Sequence, residues 1–117
     1  MIKIESFMTW KIEFYDKKVE NSIKEWPVSI LSKFLWIVGI IEQFGPIEIG
    51  MPYIKAMGQG LLEIRSKAKD GIGRAIFCTL AGKKIIILNA FIKKTEKTPQ
   101  SEIELAKKRM TMVKKNG

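Results

Sequence analysis

Residues 60–94 read GLLEIRSKAKDGIGRAIFCTLAGKKIIILNAFIKK, and the reading of this run decides the fold. Three apolar, β-favouring segments lie in it, Leu61–Ser66, Gly73–Leu80 and Lys84–Lys93. Asp70-Gly71 falls in the first connection and Gly82 in the second, both turn signals. Connections this short join neighbouring strands that run in opposite directions, so the stretch predicts an antiparallel meander.

Upstream, Trp10, Ile12 and Phe14 alternate with Lys11, Glu13 and Tyr15, the period of a first strand. Asp16 suits a helix N-cap, and Val19, Ile23 and Trp26 follow on one helical face. Pro27 opens a second helix, whose broad apolar stripe runs through Ile30, Phe34, Ile37 or Val38, Ile41 and Phe44 before Gly45-Pro46 ends it. Residues 45–60 are rich in Gly and Pro and read as an irregular connection. Downstream, Thr98 is placed to cap and Pro99 to start a last helix with Ile103, Ala106, Met110 and Val113 inward. The expected order is β-α-α-β-β-β-α, an α+β protein with a small, mostly antiparallel sheet packed with helices. One domain spans 1–117, with 1–8 as a candidate N-terminal extension and 114–117 as a frayed tail.

Composition narrows the chemistry. There is no histidine, which removes His-containing zinc sites and histidine acid–base catalysis, and no metal or cofactor is expected. The one cysteine, Cys78, precludes an internal disulfide and reads as a small buried apolar residue in a reducing compartment. The longest apolar run, Phe34–Ile41, is far short of the roughly 20 residues needed to span a bilayer. No secretory signal is read at the N-terminus, so the expected location is cytoplasmic, away from membranes. Residues 1–60 hold seven Lys and seven Asp/Glu, whereas 61–117 hold fourteen Lys/Arg and five Asp/Glu. The whole excess of +9 therefore sits in the second half, a one-sided field suited to a polyanion.

Alternation puts Glu63 and Arg65 on one face of their strand. In an antiparallel meander Arg65, Arg74, Lys93 and Lys94 then gather at one end of the sheet, a phosphate site in outline. Less specific readings stand beside this one. Glu63 and Arg65 are also a plausible pair across a sheet face. Lys107, Lys108 and Arg109 suit a helix's wet face, and Trp10, Trp26 and Trp36 read as core.

These residues carry a resemblance. Gly60-Leu61-Leu62-Glu63-Ile64-Arg65, then Arg74, then Phe91-Ile92-Lys93-Lys94-Thr95-Glu96-Lys97-Thr98-Pro99, then Ala106 and Arg109 are similar to the RelE/HigB-type toxins, in their phage-derived subgroup of the RelE/ParE superfamily. The opening TWKIEFYDKKVENSI resembles the first strand and helix of that family. The resemblance implies a microbial-ribonuclease-like fold and a type II toxin–antitoxin toxin. It implies an endoribonuclease that cleaves mRNA on the ribosome, silenced by a cognate helix-turn-helix antitoxin. It implies Arg65, Arg74, Lys93 and Lys94 as the active-site cations. The chain departs from better-known relatives in lacking histidine and a tyrosine at the strand end.

Metal-free RNA cleavage proceeds by attack of the 2′-hydroxyl on the adjacent phosphorus, and needs a base, an acid and donors for the growing charge. On that chemistry Arg65 and Arg74 are expected to hold the phosphate, and Arg74→Ala to abolish cleavage without harming the fold. Lys93 or Lys94 is expected to stabilise charge or protonate the leaving oxygen, and Glu63 is a candidate base. Lys55, Lys67 and Lys97 are expected to steer the RNA strand, and Phe91 to stack a base. The alternative is a non-catalytic basic module that binds RNA or DNA with the same face.

Overall fold

In the computed structural model, which describes residues 9–93 and 97–116, five strands form one sheet with helices on both faces. The elements are β1 (Lys11–Phe14), α1 (Lys17–Lys24), α2 (Val28–Phe44), β2 (Ile54–Gly58), β3 (Leu61–Ala68), β4 (Gly71–Leu80), β5 (Lys84–Lys93) and α3 (Gln100–Asn116). The strand order is β1-β5-β4-β3-β2. All neighbours are antiparallel except β1 and β5, which run parallel with Lys11 opposite Lys84.

The α+β class and the meander are as expected, and two details differ. Ile54–Gly58, inside the Gly/Pro-rich connection, is an edge strand paired with β3. The last helix continues to Asn116, through most of the segment expected to fray. Residues 1–8, the candidate extension, lie outside the described residues.

Asp16 caps α1 as its sequence position suggests, accepting from the Val19 amide at 2.9 Å. Val19 and Ile23 of α1, Trp26, and Ile30, Phe34, Ile37 and Ile41 of α2 are buried against Ile64, Ala75, Phe77, Ile85 and Ile87 of the sheet. Gly73 permits this close approach, because a Cβ there would come within 2.6 Å of both Ile30 and Trp26. Trp36, read as core, is instead half exposed on the outer side of α2.

The opposite face packs under α3. Leu61, Ile76, Cys78, Ile86 and Leu88 meet Ala106, flanked by Ile103, Met110 and Val113. Burial pushes the Cys78 thiol pKa up, with Lys114 acting in the opposite direction. A register shift beside Ile76 and Phe77 leaves Leu88 as the extra residue of β5. The Leu88 carbonyl accepts from Arg109 Nη1 at 2.8 Å, and that guanidinium lies 4.8 Å over the Tyr15 ring. Arg109 is thus an anchor of α3 rather than part of its wet face. Among the described residues no helix is long and apolar enough to cross a membrane.

Candidate functional site

The site grows out of strand alternation on the face that α3 partly covers. Along β3, Leu61, Glu63, Arg65 and Lys67 share this face, and β4 contributes Ile72, Arg74 and Ile76. Register then sets them in three rows across the sheet. Lys55, Glu63, Ile76 and Asn89 form one; Arg65, Arg74 and Phe91 the next; Lys67, Ile72 and Lys93 the last. The sheet therefore brings together Lys55, Arg65, Lys67, Arg74 and Lys93.

Burial divides that group. Arg74 and Glu63 are both 0% exposed. Arg74 Nη1 donates to Glu63 Oε1 at 3.1 Å and to Thr98 Oγ1 at 3.0 Å. The Thr98 hydroxyl in turn donates to Glu63 Oε2 at 2.6 Å. Arg65 Nε lies 3.7 Å from Glu63 Oε1, with its side chain 14% exposed. One carboxylate thus receives two arginines and a threonine, the arrangement a buried charge requires.

Two of the expected site residues are therefore buried. The Arg74 guanidinium is turned inward, toward Glu63 and Thr98. Glu63 is enclosed by the same partners. Because Arg74 pairs with a buried carboxylate, Arg74→Ala is expected to cost stability, whereas the sequence alone predicts an intact fold.

Of the other expected site cations among the described residues, Lys55, Lys67 and Lys97 are exposed and Lys93 is half-buried at the end of β5. Phe91 is half-buried and packs against the cluster beneath α3. Lys94 lies outside the described residues. Among the described residues no group of His, Cys, Asp or Glu side chains is placed to hold a metal ion.

Sequence reasoning missed Thr98 as a member of this network. Its position before Pro99 suits a helix cap, and a Thr-Pro pair before a helix gives no sign that the hydroxyl turns toward the sheet. It missed Asn89 as well, whose side-chain amide donates to Glu102 and ties the start of α3 to β5. A polar residue inside the run IIILNAF was the available signal.

Next to the chain that enters β2 at Ile54, a cavity of about 330 Å³ opens beside β3. Lys33, Pro52, Tyr53, Arg65 and Lys67 line it.

A family model described as phage derived protein Gp49-like (DUF891) matches residues 21–111. Among solved structures, the chain is similar to the E. coli toxin RelE, in a doubly mutated form in the free state. It is 14% identical over 88% of this chain and 99% of that one, with a TM-score of 0.63. It is also similar to the archaeal RelE–RelB complex from Pyrococcus horikoshii OT3, at 21% identity over 73% of this chain and 96% of that one, with a TM-score of 0.52. At these identities the likeness establishes a shared fold. No curated protein matches the chain.

Proposed function

The chain belongs to the phage-derived Gp49-like family, and from that premise we propose that it is the toxin of a type II toxin–antitoxin pair. In this reading it is a metal-independent endoribonuclease that cuts mRNA on the ribosome in the cytoplasm. Its partner is a helix-turn-helix antitoxin. The observation that carries the reading is the gathering of cations from β2, β3, β4 and β5 on one sheet face.

In the chemistry this face supports, the 2′-hydroxyl gives its proton to solvent water and its oxygen bonds to phosphorus as the bond from phosphorus to the 5′-oxygen breaks. The products are a 2′,3′-cyclic phosphate and a free 5′-hydroxyl. Arg65, the arginine with solvent access, holds the non-bridging oxygens as charge grows on them. A lysine is ordinarily protonated at neutral pH, so Lys93 serves best by donating its proton to the leaving 5′-oxygen. Lys94 is proposed beside it on sequence grounds. Arg74, Glu63 and Thr98 act through Arg65 by fixing the carboxylate against which it rests. Lys55, Lys67 and Lys97 attract the strand by charge.

A second reading has one observation in its favour. Glu63 is buried, and the sheet face presents no other carboxylate within its three rows of residues. A basic module that binds RNA without cutting it is consistent with that. Both readings give strong salt dependence, with a log–log slope near −3 for about four phosphates of a single strand. Mapping new 5′ ends on a message under translation, with and without the purified chain, separates them. Defined breaks that vanish with Arg65→Ala, in protein that unfolds at the wild-type temperature, support the nuclease. Intact message with wild-type protein overturns it in favour of the binding module.

A further inference from the structure

Helix α2 reads VSILSKFLWIVGIIEQF, and from Phe34 to Ile41 it carries no charge on any side. A helix that is apolar all round is normally buried all round. Here Ile30, Phe34, Ile37 and Ile41 are buried against the sheet, whereas Val28, Leu35 and Trp36 turn outward at 79%, 58% and 50% exposure. Val28, Ser32, Leu35 and Gly39 follow one another at steps of four and three, so they form one line along the outer side, with Trp36 beside it. The Trp36 ring is held in place by Tyr53, which meets it edge to face at 5.2 Å, and by Lys33 Nζ, 4.8 Å from its centroid.

Gly39 is a second, separate observation. Glycine weakens the middle of a helix, and a Cβ at this position would meet nothing within 4 Å. Nothing among the described residues therefore calls for the missing side chain. A second helix packed closely on this line does call for it.

Charge says which body can approach. The chain carries +9, and residues 1–60 contribute none of it. Arg65, Arg74 and Lys93 lie on the opposite face of the sheet, the one α3 partly covers. A polyanion is drawn to that side and not to α2, whose own charges, Lys33 and Glu42, cancel. Two copies that meet through α2 turn their cationic faces apart, by roughly 30 Å at layer spacings of about 10 Å. That is several Debye lengths of about 8 Å, so their mutual repulsion is screened. Run antiparallel, the two helices set the Lys33 end of each against the Glu42 end of the other and oppose their dipoles.

We propose that this face is a homodimer contact, on which a second copy of the chain packs its own α2 antiparallel. With the two-fold axis between positions 37 and 38, Trp36 of each copy lies level with the partner's Gly39, a large ring against an absent side chain. The inference is independent of the RNA chemistry, whose residues it leaves facing outward on both copies. One helix face offers less than the roughly 800 Å² per partner of a standard interface, so the dimer is a weak one, dissociating in the micromolar range or above.

Sedimentation equilibrium of the full chain, from about 5 μM to about 1 mM, is the test. The average mass should rise from 13.4 kDa toward twice that value. It should do so equally in about 0.1 M and about 0.5 M salt, because the contact is apolar. Leu35→Glu brings two carboxylates to one contact and should weaken association more than about tenfold. Gly39→Leu is the sharper variant. In the single chain its side chain enters open space, so the unfolding temperature at low concentration should not fall, while the dimer should be lost.

A chain that stays monomeric throughout overturns the proposal, as does a dimer that both variants leave intact. A mass increase that vanishes at the higher salt, the mark of copies bridged by residual nucleic acid, overturns it too. A monomer that loses its antitoxin on Leu35→Glu would assign the face to that partner instead, with the same consequence.

Discussion

The two faces of the sheet are built on different principles. Under α1 and α2 the contact is predominantly apolar, with Ile30, Phe34, Ile37 and Ile41 of one helix all buried and Ser66 the buried polar side chain of the sheet beneath them. Under α3 only Ala106 of the helix is fully buried, Ile103, Met110 and Val113 pack half-buried beside it, and hydrogen bonds donated by Arg109 and accepted by Glu102 complete the attachment. Beyond the reach of that helix's apolar stripe the same face holds Glu63, Arg74 and Thr98. Apolar packing is non-directional and tolerant, so the first face can carry stability without specifying chemistry. The second face trades that tolerance for a carboxylate and a guanidinium that are safe only while each keeps the other.

That difference is broken most directly at Arg74. Arg74→Met leaves the Glu63 carboxylate buried without its 3.1 Å partner, and urea unfolding should show a loss of about 3–5 kcal/mol. Adding Glu63→Leu should recover most of it, because an apolar pair of similar volume is often neutral or better than a buried ion pair. A single-variant loss below about 1 kcal/mol, on the scale of an exposed pair, would show that water reaches this network and that the two faces are less distinct than their burial indicates.

On the apolar face the sensitive point is volume. Gly73→Ala would drive a methyl group to 2.6 Å from Ile30 and Trp26, and overpacking of this kind costs about 1–3 kcal/mol. No single change on the sheet should rescue it as Glu63→Leu rescues Arg74→Met, since the clash is with side chains of α2 and the segment before it. Thermal unfolding of Gly73→Ala with and without Ile30→Leu, which removes the Cγ2 that the new methyl group would strike, checks this: part of the loss should be relieved from the helix side.

How much of this was legible in sequence follows the same division. Alternation and turn residues gave β3, β4 and β5, and with them the in-register pairing of Arg65 with Arg74. The second strand escaped because only Ile54 of its five residues is buried, so no alternation marks it. Alternation also says which face a residue is on but not how deep it lies. Arg74 was correctly put beside Arg65, and its complete burial depends on Glu63 and on Thr98, which is 24 positions further along the chain. The cavity was the least visible feature. Lys33, Tyr53 and Arg65 come from a helix, a connection and a strand, and only the folded chain makes them neighbours.

The smallest effect tests how firmly α3 is held. Cys78 lies at 0% exposure on the face that α3 covers, and burial raises its thiol pKa above the ordinary 9.0. The sign follows from proton counting: above pH 9 the unfolded chain releases the thiol proton while the folded chain retains it, so stability falls as pH rises. The contribution is intact below pH 9 and is lost as pH rises through the folded value, and Cys78→Ala should flatten that part of the profile. The same thiol also times the opening of the helix. If α3 lifts locally, iodoacetamide should modify Cys78 at a lower opening free energy than governs amide exchange at Ile37 of α2. Equal free energies would mean that hydrogen bonds, one buried alanine and three half-buried apolar side chains hold α3 as tightly as four buried side chains hold α2, and the contrast between the faces would then be one of chemistry alone.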